Sequence, residues 1–77
     1  MVRVEFTVEP FVEGQPGPHV RAAIGAVEDL GIDVEVGPFA SRCEVTRARV
    51  GEVVAALLTA AYAEGATHVN VHVEPVE

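Results

Sequence analysis

The chain has no lysine, and its five arginines stand against twelve acidic residues, a formal charge of −7 over 77 residues. Without lysine there is no Schiff-base amine and no phosphate-gripping lysine of a P-loop. Nucleic-acid binding needs cations that replace counterions along the phosphates, and no basic stripe is present, which argues against a nucleic-acid partner. An acidic chain suits a cationic or neutral ligand better than an anionic one. Cysteine is nearly absent as well. Cys43 alone can neither close an internal disulfide nor supply a cysteine cluster for zinc or iron-sulfur. Long apolar runs are missing: the longest, Val53 to Leu58, has six residues, against the roughly 18 of a membrane span. A soluble protein with no membrane partner is expected. The opening Met1-Val2-Arg3-Val4-Glu5 enters strand alternation without the basic segment, apolar core and cleavage site of a signal peptide, which predicts a cytoplasmic location.

What is present is apolar residue in regular spacing. At this length the chain is expected to be one domain, 1–77, near the small end at which a core forms, burying roughly 60% of its unfolded surface. Self-association would add burial. Two stretches, Val2 to Glu9 and Thr67 to Glu74, alternate valine or phenylalanine with polar groups, and both finish on Val-Glu-Pro. Each reads as a strand with one dry and one polar face. Phe11 to Pro18, with two glycines and two prolines, reads as a loop. Pro18 suits the first turn of a helix, Val20, Ala23, Ile24, Val27 and Leu30 give it an apolar stripe, and Gly31 supplies a left-handed cap. Ile32, Val34 and Val36 predict a second strand stopping at Gly37-Pro38, and a third is expected from about Phe39 to Thr46. Val50, Val53, Val54, Leu57, Leu58 and Ala61 mark a second helix closed by Gly65. Strand, helix, strand, strand, helix, strand with right-handed crossovers gives an α+β fold, a ferredoxin-like βαββαβ sandwich. Its antiparallel sheet takes the order 4-1-3-2, with both helices on one face.

Any function must then be sought on the polar side. Antiparallel neighbours 1 and 4 bring His72 towards Glu5, Asn70 towards Thr7 and His68 towards Glu9, with Glu44 expected on the other side of Thr7. The simplest account of such a face is ordinary cross-strand pairing, solvated or covered by a second copy. His68-x-Asn70-x-His72 is not a metal site by itself, because residues four apart on a strand lie about 13 Å from each other. The carboxylates show no sign of the burial that would split their pKa values for acid-base work. Cys43 has inward parity beside Val45 and reads as a small packed residue; Ser41 lacks the glycines of a nucleophile elbow, and Gly14-x-x-Gly17 is a flexible loop rather than a phosphate cradle. No enzyme is expected, and no metal.

Thr7-Val8-Glu9-Pro10, then Gly37-Pro38-Phe39-Ala40-Ser41 with Glu44, and Glu64-Gly65-Ala66 leading into the last strand, make the chain resemble the thiamine-binding family of YkoF-like proteins over nearly its whole length. The resemblance implies a ferredoxin-like protein that assembles as a dimer or tetramer through its sheets. It also implies binding of thiamine or its hydroxymethylpyrimidine part, without catalysis and with no further cofactor. Carried over by position, Thr7 stands where the family has a hydroxyl residue before its first proline, Ser41 in its threonine position and Glu44 in that of its strand glutamate. Ala40 and Val45 depart from glycines common in the family, and both departures bear on pocket width. The ligand class agrees with the residues themselves. An aminopyrimidine offers donors and acceptors that Glu44, Thr7, Ser41 and Asn70 complement, the thiazolium cation suits an acidic surface, and Phe11, Phe39 or Tyr62 can form a wall. The expected ligand-binding set is Thr7, Ser41, Glu44, Asn70, Glu5 and Phe39. The competing expectation is a structural or regulatory oligomerisation module with no small-molecule ligand. A ferredoxin-like acylphosphatase ranks last, since the Phe11 to Pro18 loop carries no arginine.

Overall fold

The computed structural model describes residues 1–10 and 16–76. Strand β1 (Val2–Glu9) is followed by helix α1 (Pro18–Glu28), the short strand β2 (Glu35–Val36), strand β3 (Ser41–Val45), a 3₁₀ turn (Arg47–Arg49), helix α2 (Val50–Ala63) and strand β4 (His68–Pro75). The sheet order is β2-β3-β1-β4 with every neighbouring pair antiparallel. Both helices pack against each other and against one sheet face, so the ferredoxin-like arrangement expected from the spacing is the one observed. No helix among the described residues is long and apolar enough to cross a membrane.

Alternation builds the core. Val2, Val4, Phe6 and Val8 are buried on the helix side of the central strand, while the residues between them are half-buried. Val27 of α1 and Val53, Leu57 and Ala61 of α2 meet them at spacings of four, with no exposed surface left. Burying each large aliphatic or aromatic side chain of this set contributes on the order of 1.5–3 kcal/mol.

The helix ends follow local chemistry. Pro18 occupies the first turn of α1, where its missing N–H has no partner to lose, and the Gly17 carbonyl accepts from Val20 and Arg21 N–H. Gly31 (φ 82°) and Gly65 (φ 97°) take the left-handed conformation that ends each helix. After α2 the Ala66 N–H donates to the Ala61 carbonyl and the Gly65 N–H to that of Tyr62, the paired bonds of a Schellman motif.

The second strand differs from expectation. Only Glu35 and Val36 pair, opposite Arg42 and Ser41, and β3 starts at Ser41 rather than Phe39. The register leaves Pro38 and Phe39 as a two-residue turn, and neither has positive φ. Such a turn twists against the flanking strands, unlike the left-handed turns that prolong a hairpin, so pairing stops early. Ile32 is buried in the core instead of extending the ladder. Gly37 is required in this turn: a Cβ there would stand 2.8 Å from the Ala40 carbonyl oxygen, which its N–H bonds at 2.9 Å.

Candidate functional site

The register sorts the expected site residues into two places. Thr7 lies opposite Asn70, Glu5 opposite His72 and Glu9 opposite His68, as the alternation implies. On the other side of β1, however, Glu44 lies opposite Arg3 and not beside Thr7. Four residues of strand, about 13 Å, separate the two rungs. The displacement follows from the Pro38-Phe39 turn: because β3 begins at Ser41 opposite Phe6, Glu44 falls at the far end of β1.

The open face is a network of surface ion pairs. Arg3 sits between Glu44 (3.7 Å) and Glu74 (3.5 Å), Arg42 approaches Glu35 at 3.9 Å, and His72 lies 3.5 Å from Glu74. Glu44 also borders an open groove of about 380 Å³ with Arg3, Arg42, Asp33 and Glu35, where both signs of charge are mixed. Exposed pairs of this kind stabilise by about 0–1 kcal/mol each. No group of three or more His, Cys, Asp or Glu among the described residues is placed to hold a metal ion. Cys43 is buried on the helix side, and that burial pushes its thiol pKa up, the opposite of what a nucleophile needs.

The other place is a cavity of about 190 Å³ at the end of the sheet, where β1 finishes, α1 begins and the β2–β3 turn closes over. Phe6, Val8 and Val20 give it apolar walls, Phe39 stands at its rim, Ser41 contributes a hydroxyl, and Thr7, whose side chain has open-face parity, borders it between Phe6 and Val8. Ser41 is the distinctive group. It has inward parity, is 6% exposed, and makes no side-chain hydrogen bond to another described residue. The only wholly enclosed side-chain polar atom without a partner among the described residues is Arg42 Nε, so the Ser41 oxygen is reached from the cavity. Thr7, Ser41 and Phe39 are thus brought together, whereas Glu44, Glu5 and Asn70 stay on the open face. Tyr62 is exposed on α2, away from both places, and Phe11 lies outside the described residues.

Gly37 to Ala40 form one wall, a stretch the sequence reading had already tied to the pocket through Phe39 and Ala40. One neighbouring residue escaped that reading. His19 is buried in the first turn of α1, its Nε2–H donating to the Pro10 carbonyl and so joining the end of β1 to the start of α1 beside the cavity. Room for its ring comes from Gly17, where a Cβ would stand 2.6 Å from His19 Cε1.

No protein-family model matches the chain, and no curated protein does. Among solved structures it is similar to protein SP2199 from Streptococcus pneumoniae, with 24% identity and a TM-score of 0.64 over 99% of this chain and 87% of that one. It is also similar to the domain of unknown function DUF77 from Bacillus cereus, with 21% identity and a TM-score of 0.55 over 95% of this chain and 71% of that one. The fold is DUF77-like. At these identities the likeness concerns the backbone arrangement alone, and ligand chemistry has to come from the cavity.

Proposed function

We propose that this protein binds the hydroxymethylpyrimidine part of thiamine, or a single-ring heterocycle like it, in the cavity at the end of β1, in the cytoplasm and without catalysing a reaction. The observation that carries the reading is Ser41, a buried residue whose hydroxyl makes no side-chain hydrogen bond among the described residues, in a cavity lined chiefly by apolar residues. A neutral ring with hydrogen-bonding edges satisfies such a site, since its faces meet Phe6, Val8 and Val20 while an edge atom meets Ser41. Size favours the pyrimidine over whole thiamine. About 190 Å³ equals the volume of roughly six liquid waters and falls below the roughly 300 Å³ at which pockets for drug-sized ligands begin. Charge points the same way, because none of the described lining residues is an acid that would hold a thiazolium. No described lining residue is titratable, which also favours binding over acid-base catalysis.

Calorimetric titration of hydroxymethylpyrimidine and of thiamine into the protein tests this. The pyrimidine is expected to bind at least as tightly as thiamine, and no heat from either at high protein concentration would remove the proposal. The second reading, an assembly module without a ligand, is favoured by the exposure of Val36, Phe39, Tyr62 and Val73. A stable oligomer that answers to neither compound would select it.

A further inference from the structure

We infer that the main-chain N–H and C=O of Val8 form a recognition edge inside the cavity, one that selects flat rings carrying a hydrogen-bond acceptor and an amino donor on adjacent atoms. The inference rests on reading the cavity as a ligand site, and adds the groups that read the ring. Three backbone bonds fix where Val8 points. The Val76 N–H donates to the Met1 carbonyl at 2.9 Å and the Thr67 N–H to that of Glu9 at 2.8 Å, so Arg3, Glu5, Thr7 and Glu9 turn their backbone groups towards β4. In the β2–β3 hairpin the Gly37 N–H donates to the Ala40 carbonyl at 2.9 Å, so Arg42 and Glu44 turn towards the β2 side and Ser41, Cys43 and Val45 towards β1. The two sets agree: Val2, Val4, Phe6 and Val8 present N–H and C=O to the β3 side. Val2, Val4 and Phe6 meet Val45, Cys43 and Ser41 there, and Val8 meets no strand. The ladder ends at Ser41, and on this side no backbone bond joins Val8 to any described residue. Yet Val8 is 3% exposed and lines the cavity together with Phe6 and Ser41. Buried backbone groups are nearly always paired, so a donor and an acceptor left open side by side call for an occupant that answers both.

The pair dictates the chemistry of its occupant. In a ladder, the opposing residue answers with its own C=O and N–H. A ring nitrogen beside an amino group offers the same acceptor and donor on adjacent atoms of one plane, which is how an amide side chain grips the edge of adenine. Hydroxymethylpyrimidine and cytosine share that edge, and both are single rings of the size a cavity of about 190 Å³ admits. The site is therefore expected to read the edge and to take both. An added peptide strand offers the same two groups but needs several open rungs. Val8 is a single one, because Phe6 before it is engaged with Ser41 and Pro10, the next residue of that parity, has no N–H. A ring of equal shape without the amino group would leave the Val8 carbonyl unanswered, and sites built in this way reject such analogues strongly.

Nuclear magnetic resonance on the isotope-labelled protein tests this. Without ligand, the Val8 amide is expected to exchange its hydrogen faster than those of Val4 and Phe6, which are as deeply buried but bonded to β3. Addition of 4-aminopyrimidine should shift the Val8 amide proton downfield and slow its exchange. 4-Methylpyrimidine, the same shape without the amino donor, should bind about tenfold or more weakly. A synthetic chain with a backbone ester in place of the Val8 amide loses that one N–H. It should bind 4-aminopyrimidine about fivefold more weakly, and lose less Tm than the same ester at Phe6, whose N–H is engaged with Ser41. The inference is overturned by Val8 exchange as slow as that of Phe6 without ligand, by equal affinity for the two rings, by no binding of 4-aminopyrimidine at millimolar concentration, or by binding that leaves the Val8 amide unmoved. Hydroxymethylpyrimidine bound without a shift at Val8 would sink the inference and leave the proposed function standing. Binding of 4-aminopyrimidine at Val8, with no heat from hydroxymethylpyrimidine, would do the reverse.

Discussion

Replacing Ser41 by alanine should make the free protein more stable and the complex weaker, an opposition that few other readings of this residue produce. Ser41 is a buried residue, and its hydroxyl has no hydrogen-bond partner among the described residues. A hydroxyl stranded in apolar surroundings costs about 1–3 kcal/mol, but this one is reached from the cavity and keeps some water. A gain of about 0.5–1 kcal/mol on its removal is the reasonable magnitude, which for a domain of this size raises Tm by roughly 2–8 °C. In the complex the hydroxyl would make a neutral hydrogen bond to the ring, so its loss weakens binding by about 1 kcal/mol, roughly fivefold in Kd. Thermal denaturation without ligand and calorimetry with hydroxymethylpyrimidine read the two halves separately. A fall in Tm of several degrees with unchanged affinity would refute the reasoning on both counts, since it would mean that the hydroxyl holds the fold and not the ligand.

Leu57→Ala removes a fully buried side chain from the centre of α2 and should cost about 2–5 kcal/mol, a large share of what so small a domain possesses; a urea midpoint that hardly moves would show that the core collapses around the gap. Gly37→Ala drives a Cβ against the Ala40 carbonyl and should cost about 1–3 kcal/mol, with faster hydrogen exchange at residue 37 as the turn opens. Unchanged exchange would show that the turn can yield. Cys43 should resist alkylation near neutral pH in the folded protein. Because its folded pKa is raised, the unfolded chain loses this proton first, so its contribution to stability is intact below the ordinary value of 9.0 and declines as pH rises beyond it. Stability that climbs above pH 9 would contradict that sign.

The alternation of Val2 to Val8 and of Val69 to Val73 made β1 and β4 legible, because period-two burial leaves a trace in every second letter, and with both strands located their mutual register followed. The helices were legible for the same reason at period 3.6. The β2–β3 hairpin was not: Ile32, Val34 and Val36 alternate as well as any strand, yet the pairing length was decided by the twist of Pro38-Phe39, a property of backbone dihedrals that alternation does not report. One misjudged turn then moved Glu44, one of the six expected site residues, four rungs along β1. Thr7, Ser41 and Phe39 met in the cavity because all three lie at the turn end of the sheet, where chain reversal forces neighbours together whatever the strand lengths. His19 left no periodic signature, since its position is set by a carbonyl nine residues earlier and by the space above Gly17.

The truncated hairpin has a further effect on what the molecule can become in quantity. A sheet with two long bare margins can recruit a neighbour at each, and such recruitment repeats without end into a fibre. Here the margin at β2 offers two residues, one of them Glu35 held by Arg42, followed at once by a glycine and a proline. Growth at that side has nothing to start from. A strand that pairs at β4 would therefore find no second long margin at β2 from which to repeat the addition, and the turn that shortens one strand acts as a guard against polymerisation.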